Sequence, residues 1–178
     1  MIPHLALRLA VVVFFASAPA FSLDRVSPEQ QPASKRARLV VLDLELTGDL
    51  GGADFAAEHE ARLRMASTRL REELAGSGLY ELVDTAAAQD LIDRLASEHR
   101  YLHDCNGCDI AVGRQLAADQ VLVAWVHRVS VLILTLTYEI HDVSSARIVS
   151  RKSFDFRGDN DAAWKRAIAY MVRDMKEQ

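Results

Sequence analysis

The feature that most constrains this fold is a run of three strand-forming segments packed into residues 120–156. In the middle one, Leu132, Leu134, Leu136, Tyr138 and Ile140 alternate with Thr135, Thr137, Glu139 and His141. Strand side chains point to opposite faces in turn, so this period of two predicts one buried face and one polar face over 132–141. The preceding segment, 120–128, is apolar at both parities, with Val121, Val123 and Trp125 set against Leu122, Ala124 and Val126. A strand covered on both faces reads this way, which predicts a central position in a sheet. The third segment, about 147–156, is less regular and carries Lys152 on the face of Phe154. Short connections between the three predict an antiparallel meander.

Upstream the period changes. Leu39 to Leu46 predicts a first strand, with Leu42, Leu44 and Leu46 on one side and Asp43 and Glu45 on the other. Gly48, Gly51 and Gly52 mark the following loop, Thr47 to Asp54. Leu63, Ala66, Leu70 and Leu74 then recur at helical spacing, and Gly76-Ser77-Gly78 stops that helix. Leu79 to Val83 predicts a short strand. Ala88, Leu91, Ile92 and Leu95 predict a second helix, capped by Asp84 or Thr85, and 108–117 a short third one. After the meander, Asp159, Asn160 or Asp161 caps a last helix with Trp164, Ile168, Met171, Val172 and Met175 on one side. The order β-α-β-α-α-β-β-β-α predicts a single α/β (α+β) domain over 39–178, in two or three layers. Its mixed sheet would end in the antiparallel meander and carry flanking helices.

The N-terminus carries Arg8, then an apolar run from Leu9 to Phe15, with no acidic residue before Asp24. Ala18-Pro19-Ala20 and Ala20-Phe21-Ser22 both meet the small-x-small rule, so a signal sequence over 1–22 is expected, cleaved after Ala20 or Ser22. The run is shorter than the roughly 20 apolar residues a membrane span needs. No cysteine lies near the cleavage point, so no lipid anchor is expected. Residues 23–38, with Pro28, Pro32 and Lys35-Arg36-Ala37-Arg38, read as a disordered lead-in. The expected location is periplasmic or secreted, without a membrane anchor. The net charge is -4, and removing Arg8 makes the rest more acidic, which argues against a nucleic-acid partner.

Cys105-Asn106-Gly107-Cys108 is the most specific motif. In an oxidising compartment it reads as a structural disulfide closing a tight loop at the start of a helix. Three alternatives stay open. One is a redox pair at a helix N-terminus, although the flanking Asp104 and Asp109 disfavour a thiolate. Another is a metal site that adds His99 and His103, in His-x3-His-x-Cys-x2-Cys order. The last is two unrelated thiols. Asp43, Glu45, Asp49, Asp54 and Glu58 could suit a hard cation, but the spacing matches no calcium loop and reads as a solvated acidic loop. Phe156 to Asp161 reads as a strand-to-helix turn, with Trp164 as a core residue. No nucleophile elbow, phosphate-binding glycine loop or dinucleotide fingerprint is present. No catalytic residue and no cofactor are expected, and the protein is not expected to be an enzyme.

The segment Cys105 to Asp119 and the segment Arg157-Gly158-Asp159-Asn160-Asp161-Ala162-Ala163-Trp164 together resemble a family of secreted bacterial proteins of unknown function. Its members carry a signal peptide, Cys-x-x-Cys before an Ala/Gly-rich helix, and a C-terminal Arg-Gly-Asn-Thr-Asp-Glu-Ser-Trp. Arg157, Gly158, Asp161 and Trp164 match that signature; Asp159, Asn160, Ala162 and Ala163 depart from it. The resemblance implies a binding role for Arg157, Asp161 and Trp164. More loosely, Leu116-Ala117-Ala118-Asp119 before Val121-Leu122-Val123 resembles a Leu-Gly-Ala-Asp turn in the periplasmic α/β domains of the TolB N-terminal and CsgG type. Those domains serve assembly and protein contact, and members of the unknown-function family occur beside quinoprotein alcohol dehydrogenase systems. The implied function is a non-enzymatic periplasmic interaction or assembly accessory protein, supporting such a dehydrogenase system through a protein partner. The alternative is a thiol-disulfide or metal-handling accessory protein that uses Cys105 and Cys108.

Overall fold

The computed structural model describes residues 35–177. The signal sequence expected over 1–22, and the lead-in as far as Ser34, lie outside the described residues. In chain order the elements are β1 (Arg38–Val41), β2 (Glu45–Gly48), α1 (Ala56–Ser77), β3 (Glu81–Val83), α2 (Gln89–Glu98), α3 (Cys108–Gln115), β4 (Gln120–Arg128), β5 (Ile133–Asp142), β6 (Arg147–Arg157) and α4 (Asp161–Lys176). A single 3-10 turn precedes each of α1 and α2. The strands form one mixed sheet in the order β3-β1-β4-β5-β6, with β2 also on β4. Pairing among β1, β3 and β4, and between β2 and β4, is parallel. β4-β5-β6 is the antiparallel meander that the alternation at 120–156 predicts.

Two strands occupy the segment read as one. Val41 pairs with Leu122 and Glu45 with Trp125, so the first segment takes one more step than β4 between these pairs. Leu42 N–H still donates to the Leu122 carbonyl (3.0 Å), while Leu44 N–H turns to the Ser67 hydroxyl on α1 (2.9 Å). The extra residue shifts the phase. Leu39, Val41, Leu44 and Leu46 bury on one face of the sheet, Val40 and Leu42 on the other. Leu42 therefore does not share a face with Leu44 and Leu46, because a strict period of two cannot register an inserted residue. The first strand also begins at Arg38. Asp119 accepts the Arg38 backbone N–H (2.8 Å), which draws the end of the lead-in into the sheet.

The helices make three layers. α1 and α4 cover one face, where Leu70, Leu74, Trp164, Ile168 and Met171 pack on Leu39, Leu122, Leu134 and Leu136. α2 and α3 cover the other face over β1 and β4, on Val40, Leu42, Val121 and Val123. α3 comes closest at Gly113, where an added Cβ would lie 2.6 Å from both Val121 and Val143. On this second face, the part of the meander formed by β5 and β6 carries polar side chains. These close on each other: Thr137 hydrogen-bonds Ser153 (2.8 Å) and Glu139 pairs with Arg151 (2.9 Å), leaving Thr137 and Glu139 5% and 7% exposed. Lys152 sits on the Phe154 face because its ammonium reaches Asp174 on α4 (2.7 Å). Ala117 takes the left-handed conformation (φ 49°) at the position where the resembled turn has glycine.

Leu132 departs from the expected buried face. Leu134, Leu136, Tyr138 and Ile140 are at most 2% exposed, but Leu132 is 64% exposed. The strand starts at Ile133, and Leu132 belongs to the hairpin that turns beyond the sheet. No helix among the described residues is long and apolar enough to cross a membrane.

Candidate functional site

The loop between α2 and α3 is fastened from β2. The Glu45 carboxylate accepts the backbone N–H of Leu102 (2.6 Å) and of His103 (3.0 Å), and also meets His103 Nδ1. The His103 ring stacks on Trp125 of β4, with centroids 4.3 Å apart and planes 12° apart. From this base the chain turns through Cys105 to Cys108, whose Cα atoms stand 5.5 Å apart with the sulfurs at bonding distance. Gly107, between them, has φ 94°, which closes the turn at no steric cost. Cys108 then starts α3 and is buried.

Of the four side chains in the metal alternative, three converge. A ring nitrogen of His99 and the two sulfurs all lie within 4.8 Å of one another, whereas His103 is held by Glu45 and Trp125. Beside the loop a row of ionisable side chains runs outward. His141 Nδ1 lies 2.6 Å from Asp109, and its Nε2 lies 2.9 Å from Glu139, which pairs in turn with Arg151. Asp109 is only 3% exposed, in the first turn of α3, where the helix N-terminus favours a carboxylate.

The cysteines are expected to be oxidised in the exported protein. Mass spectrometry with and without reductant should show alkylation only after reduction. Replacing both by Ser should cost about 2 kcal/mol or less, because so short a loop removes little unfolded-state entropy. Resistance to glutathione, with a potential below about -300 mV, marks a structural bond. Ready exchange would mark a redox pair. Free thiols with bound zinc or copper, lost in His99→Ala, would mark a metal site.

A second polar cluster occupies the opposite end of the sheet. Asp159, in the turn before α4, accepts Arg62 Nη1 (2.9 Å) and the Trp164 indole N–H (3.1 Å) on one oxygen. Its other oxygen accepts Arg128 Nε (2.7 Å), with His59 Nε2 at 3.8 Å. The side chains of Asp159, Arg62 and Arg128 are 7%, 6% and 4% exposed. Arg62 also reaches Glu58 and Asp161, and Arg128 donates to the Asp49 carbonyl. Burial opposes the Arg62 charge, but Glu58, Asp159 and Asp161 outweigh it and hold the guanidinium above its ordinary pKa. The cluster ties the end of β4, the start of α1 and the turn into α4.

The signature residues thus fall in two places. Asp161 and Trp164 join the cluster, Trp164 at 1% exposure, while Arg157 ends β6 at the rim of a groove between β6 and α4. Asn160, one of the three expected caps, accepts the Ala163 N–H (3.0 Å). Of the five carboxylates read as a solvated acidic loop, Asp43, Asp49, Asp54 and Glu58 are exposed as that reading requires, and Glu45 is the exception. Asp43 pairs with Arg71, Glu45 with His103, Asp49 with Arg128 and Glu58 with Arg62. Sequence reasoning missed Arg62, His59 and Arg128. The helical stripe Ala66, Leu70 and Leu74 runs back onto His59 and Arg62, and this was the signal available.

A family model described as "protein of unknown function (DUF2380)", named DUF3280, matches residues 37–175. The chain belongs to that family. The match spans every described element apart from the last residue of α4. Among solved structures, the DUF3280 domain is similar to the PelC dodecamer from Paraburkholderia phytofirmans at 14% identity. That likeness covers 82% of this chain and 91% of that one, with a TM-score of 0.51, and it shows a shared fold. It also aligns with E. coli LpoB (18% identity, 84% of this chain and 82% of that one, TM-score 0.45). Lipoprotein GNA1162 from Neisseria meningitidis aligns at 14% identity over 78% of this chain and 96% of that one, with a TM-score of 0.46. No curated protein matches.

Proposed function

We propose that this DUF3280 domain is a non-enzymatic interaction or assembly accessory protein of the bacterial periplasm. The observation that carries the reading is the tip of the β4–β5 hairpin, where Val129, Val131, Leu132 and Ile133 are 54%, 58%, 64% and 46% exposed. Backbone bonds hold this tip in shape. Val129 N–H donates to the Ile133 carbonyl (3.0 Å), and the carbonyls of Leu132 and Val131 accept Gly158 N–H (3.2 Å) and Asp159 N–H (2.9 Å). Contiguous apolar surface presented on a fixed loop adds nothing to its own core and marks a protein contact. The leader read at 1–22 and the paired cysteines support an exported setting. PelC, which shares the fold, is described as a dodecamer. The partner we propose is an envelope protein, and the family resemblance points to a quinoprotein dehydrogenase system as its setting.

The test is Val131→Asp with Leu132→Asp in the exported protein, followed by crosslinking in cells. Stability should shift by less than about 0.5 kcal/mol, since these side chains are exposed. The crosslinked species formed by the wild-type protein should disappear. If they persist unchanged, the hairpin is not the contact.

The convergence of His99 on both sulfurs favours a second reading, a thiol-disulfide or metal-handling accessory protein. The thiol and metal measurements on Cys105 and Cys108 decide between the two.

A further inference from the structure

Among the described residues, β6 closes one side of the sheet and pairs only with β5. Half of its backbone N–H and C=O groups therefore point outward with no strand to meet them. The ladder is regular from Ser150 to Arg157, and its register shift lies beyond that stretch, between Ile140 and His141. Alongside runs a groove of about 740 Å³ between β6 and α4. Phe154, Phe156 and Tyr170 give it an aromatic lining, Arg166 and Arg173 of α4 supply two guanidiniums, and Asp155 and Arg157 stand at its rim. Phe154 meets Tyr170 edge-on (5.3 Å, 77°), and the Arg173 guanidinium lies 5.2 Å over the Tyr170 ring. Arg166, Tyr170 and Arg173 stand four and three residues apart, so they share one face of α4.

Charge decides what this surface fits. Among the described residues, Arg157, Arg166 and Arg173 have no carboxylate partner, whereas neighbouring charges are matched. Arg151 meets Glu139, Lys152 meets Asp174, and Asp155 accepts a hydrogen bond from Thr135 (2.7 Å). Charged residues commonly protect a sheet edge, and Arg151 and Lys152 suit that task. It does not account for Arg166 and Arg173, which come from the helix. A second copy of β6 is a poor occupant, because each copy brings Arg147, Arg151, Lys152 and Arg157 against a single carboxylate, Asp155. A polyanion without a peptide backbone would leave the outward backbone groups unmet.

We propose that the β6 edge and this groove bind an extended acidic segment of a partner protein. The segment adds to the sheet as a further strand and lays alternate Asp or Glu side chains toward Arg166 and Arg173, with Arg157 at the end of the same edge. This rests on the reading of the protein as an interaction module and names a surface and partner chemistry for it.

The probes are synthetic ten-residue peptides of Val and Thr alternating with Glu, the same with Lys, the Glu peptide N-methylated at alternate backbone positions, and heparin. Binding to the exported chain is followed by fluorescence anisotropy, with hydrogen exchange on β6. The Glu peptide should bind and slow exchange of outward β6 amides, and the Lys peptide should not bind. N-methylation should weaken binding at least tenfold, as should Arg166→Glu with Arg173→Glu, whose thermal unfolding should match wild type. Absence of Glu-peptide binding would overturn the proposal. So would binding indifferent to N-methylation, or heparin binding matching the peptide without β6 protection, which would mark a general anion surface. If peptide binding fails while Val131→Asp with Leu132→Asp still abolishes crosslinking, the groove alone is wrong. If both fail, the interaction reading falls with it.

Discussion

Replacing Asp159 with Ala should destabilise the domain by about 3–5 kcal/mol, the range for breaking a buried ion pair from one side. The Asp159 carboxylate meets two guanidiniums, and Arg62 and Arg128 are 6% and 4% exposed, so water cannot take its place. The Trp164 indole N–H would also lose its acceptor. Arg62 keeps Glu58 and Asp161, so Arg128 bears the larger loss; it retains the Asp49 carbonyl and a carboxylate at 3.9 Å. Asp161→Ala is the control. Its carboxylate is 61% exposed and its loss should cost at most about 1 kcal/mol. Urea denaturation of the two variants gives the comparison, and equal costs would mean that Asp159 is no staple. The effect should extend to the hairpin, because the Asp159 backbone N–H holds the Val131 carbonyl while its side chain holds Arg128 at the base of the same hairpin.

The parts of the fold legible in the sequence are those with one apolar side and a constant period. The stripe Trp164, Ile168, Met171, Val172 and Met175 is wholly buried, and β4, apolar at both parities, stands inside the sheet with helices over both faces. Period-based reading fails where the period is broken or its continuation is polar. The extra residue between Val41 and Glu45 moves Leu42 to the other face, and no residue type in Leu42-Asp43-Leu44 announces it. The stripe of α1 continues into His59 and Arg62, which are buried only because Asp159, 97 residues downstream of Arg62, arrives to pair with them. Glu45 looks like any carboxylate beside a glycine-rich loop, yet its partners lie 57 and 58 residues away at Leu102 and His103. Composition shows the charges, and only the topology shows which of them meet. The Cys105–Cys108 loop is the intermediate case. Its closure could be read from spacing and Gly107, whereas its fastening to β2 and β4 through Glu45 and Trp125 could not.

The meander supplies the sharpest test of where alternation stops being a guide. Leu134→Ala should cost about 2–5 kcal/mol, because the side chain is fully buried and its loss leaves a cavity between the sheet and the α1/α4 layer. Leu132→Ala, two residues earlier and on the same nominal face, should change stability by no more than about 0.5 kcal/mol, since Leu132 is 64% exposed. Thr135→Ala falls between these, losing one exposed hydrogen bond to Asp155 worth about 1 kcal/mol. Denaturant midpoints measured side by side separate the three. Comparable losses at Leu132 and Leu134 would mean that the strand begins before Ile133 and that the hairpin tip is packed. The apolar contact surface would then disappear, since the same four side chains cannot both fill the core and meet a partner. A large loss at Leu134 beside a negligible one at Leu132 leaves the tip free for binding.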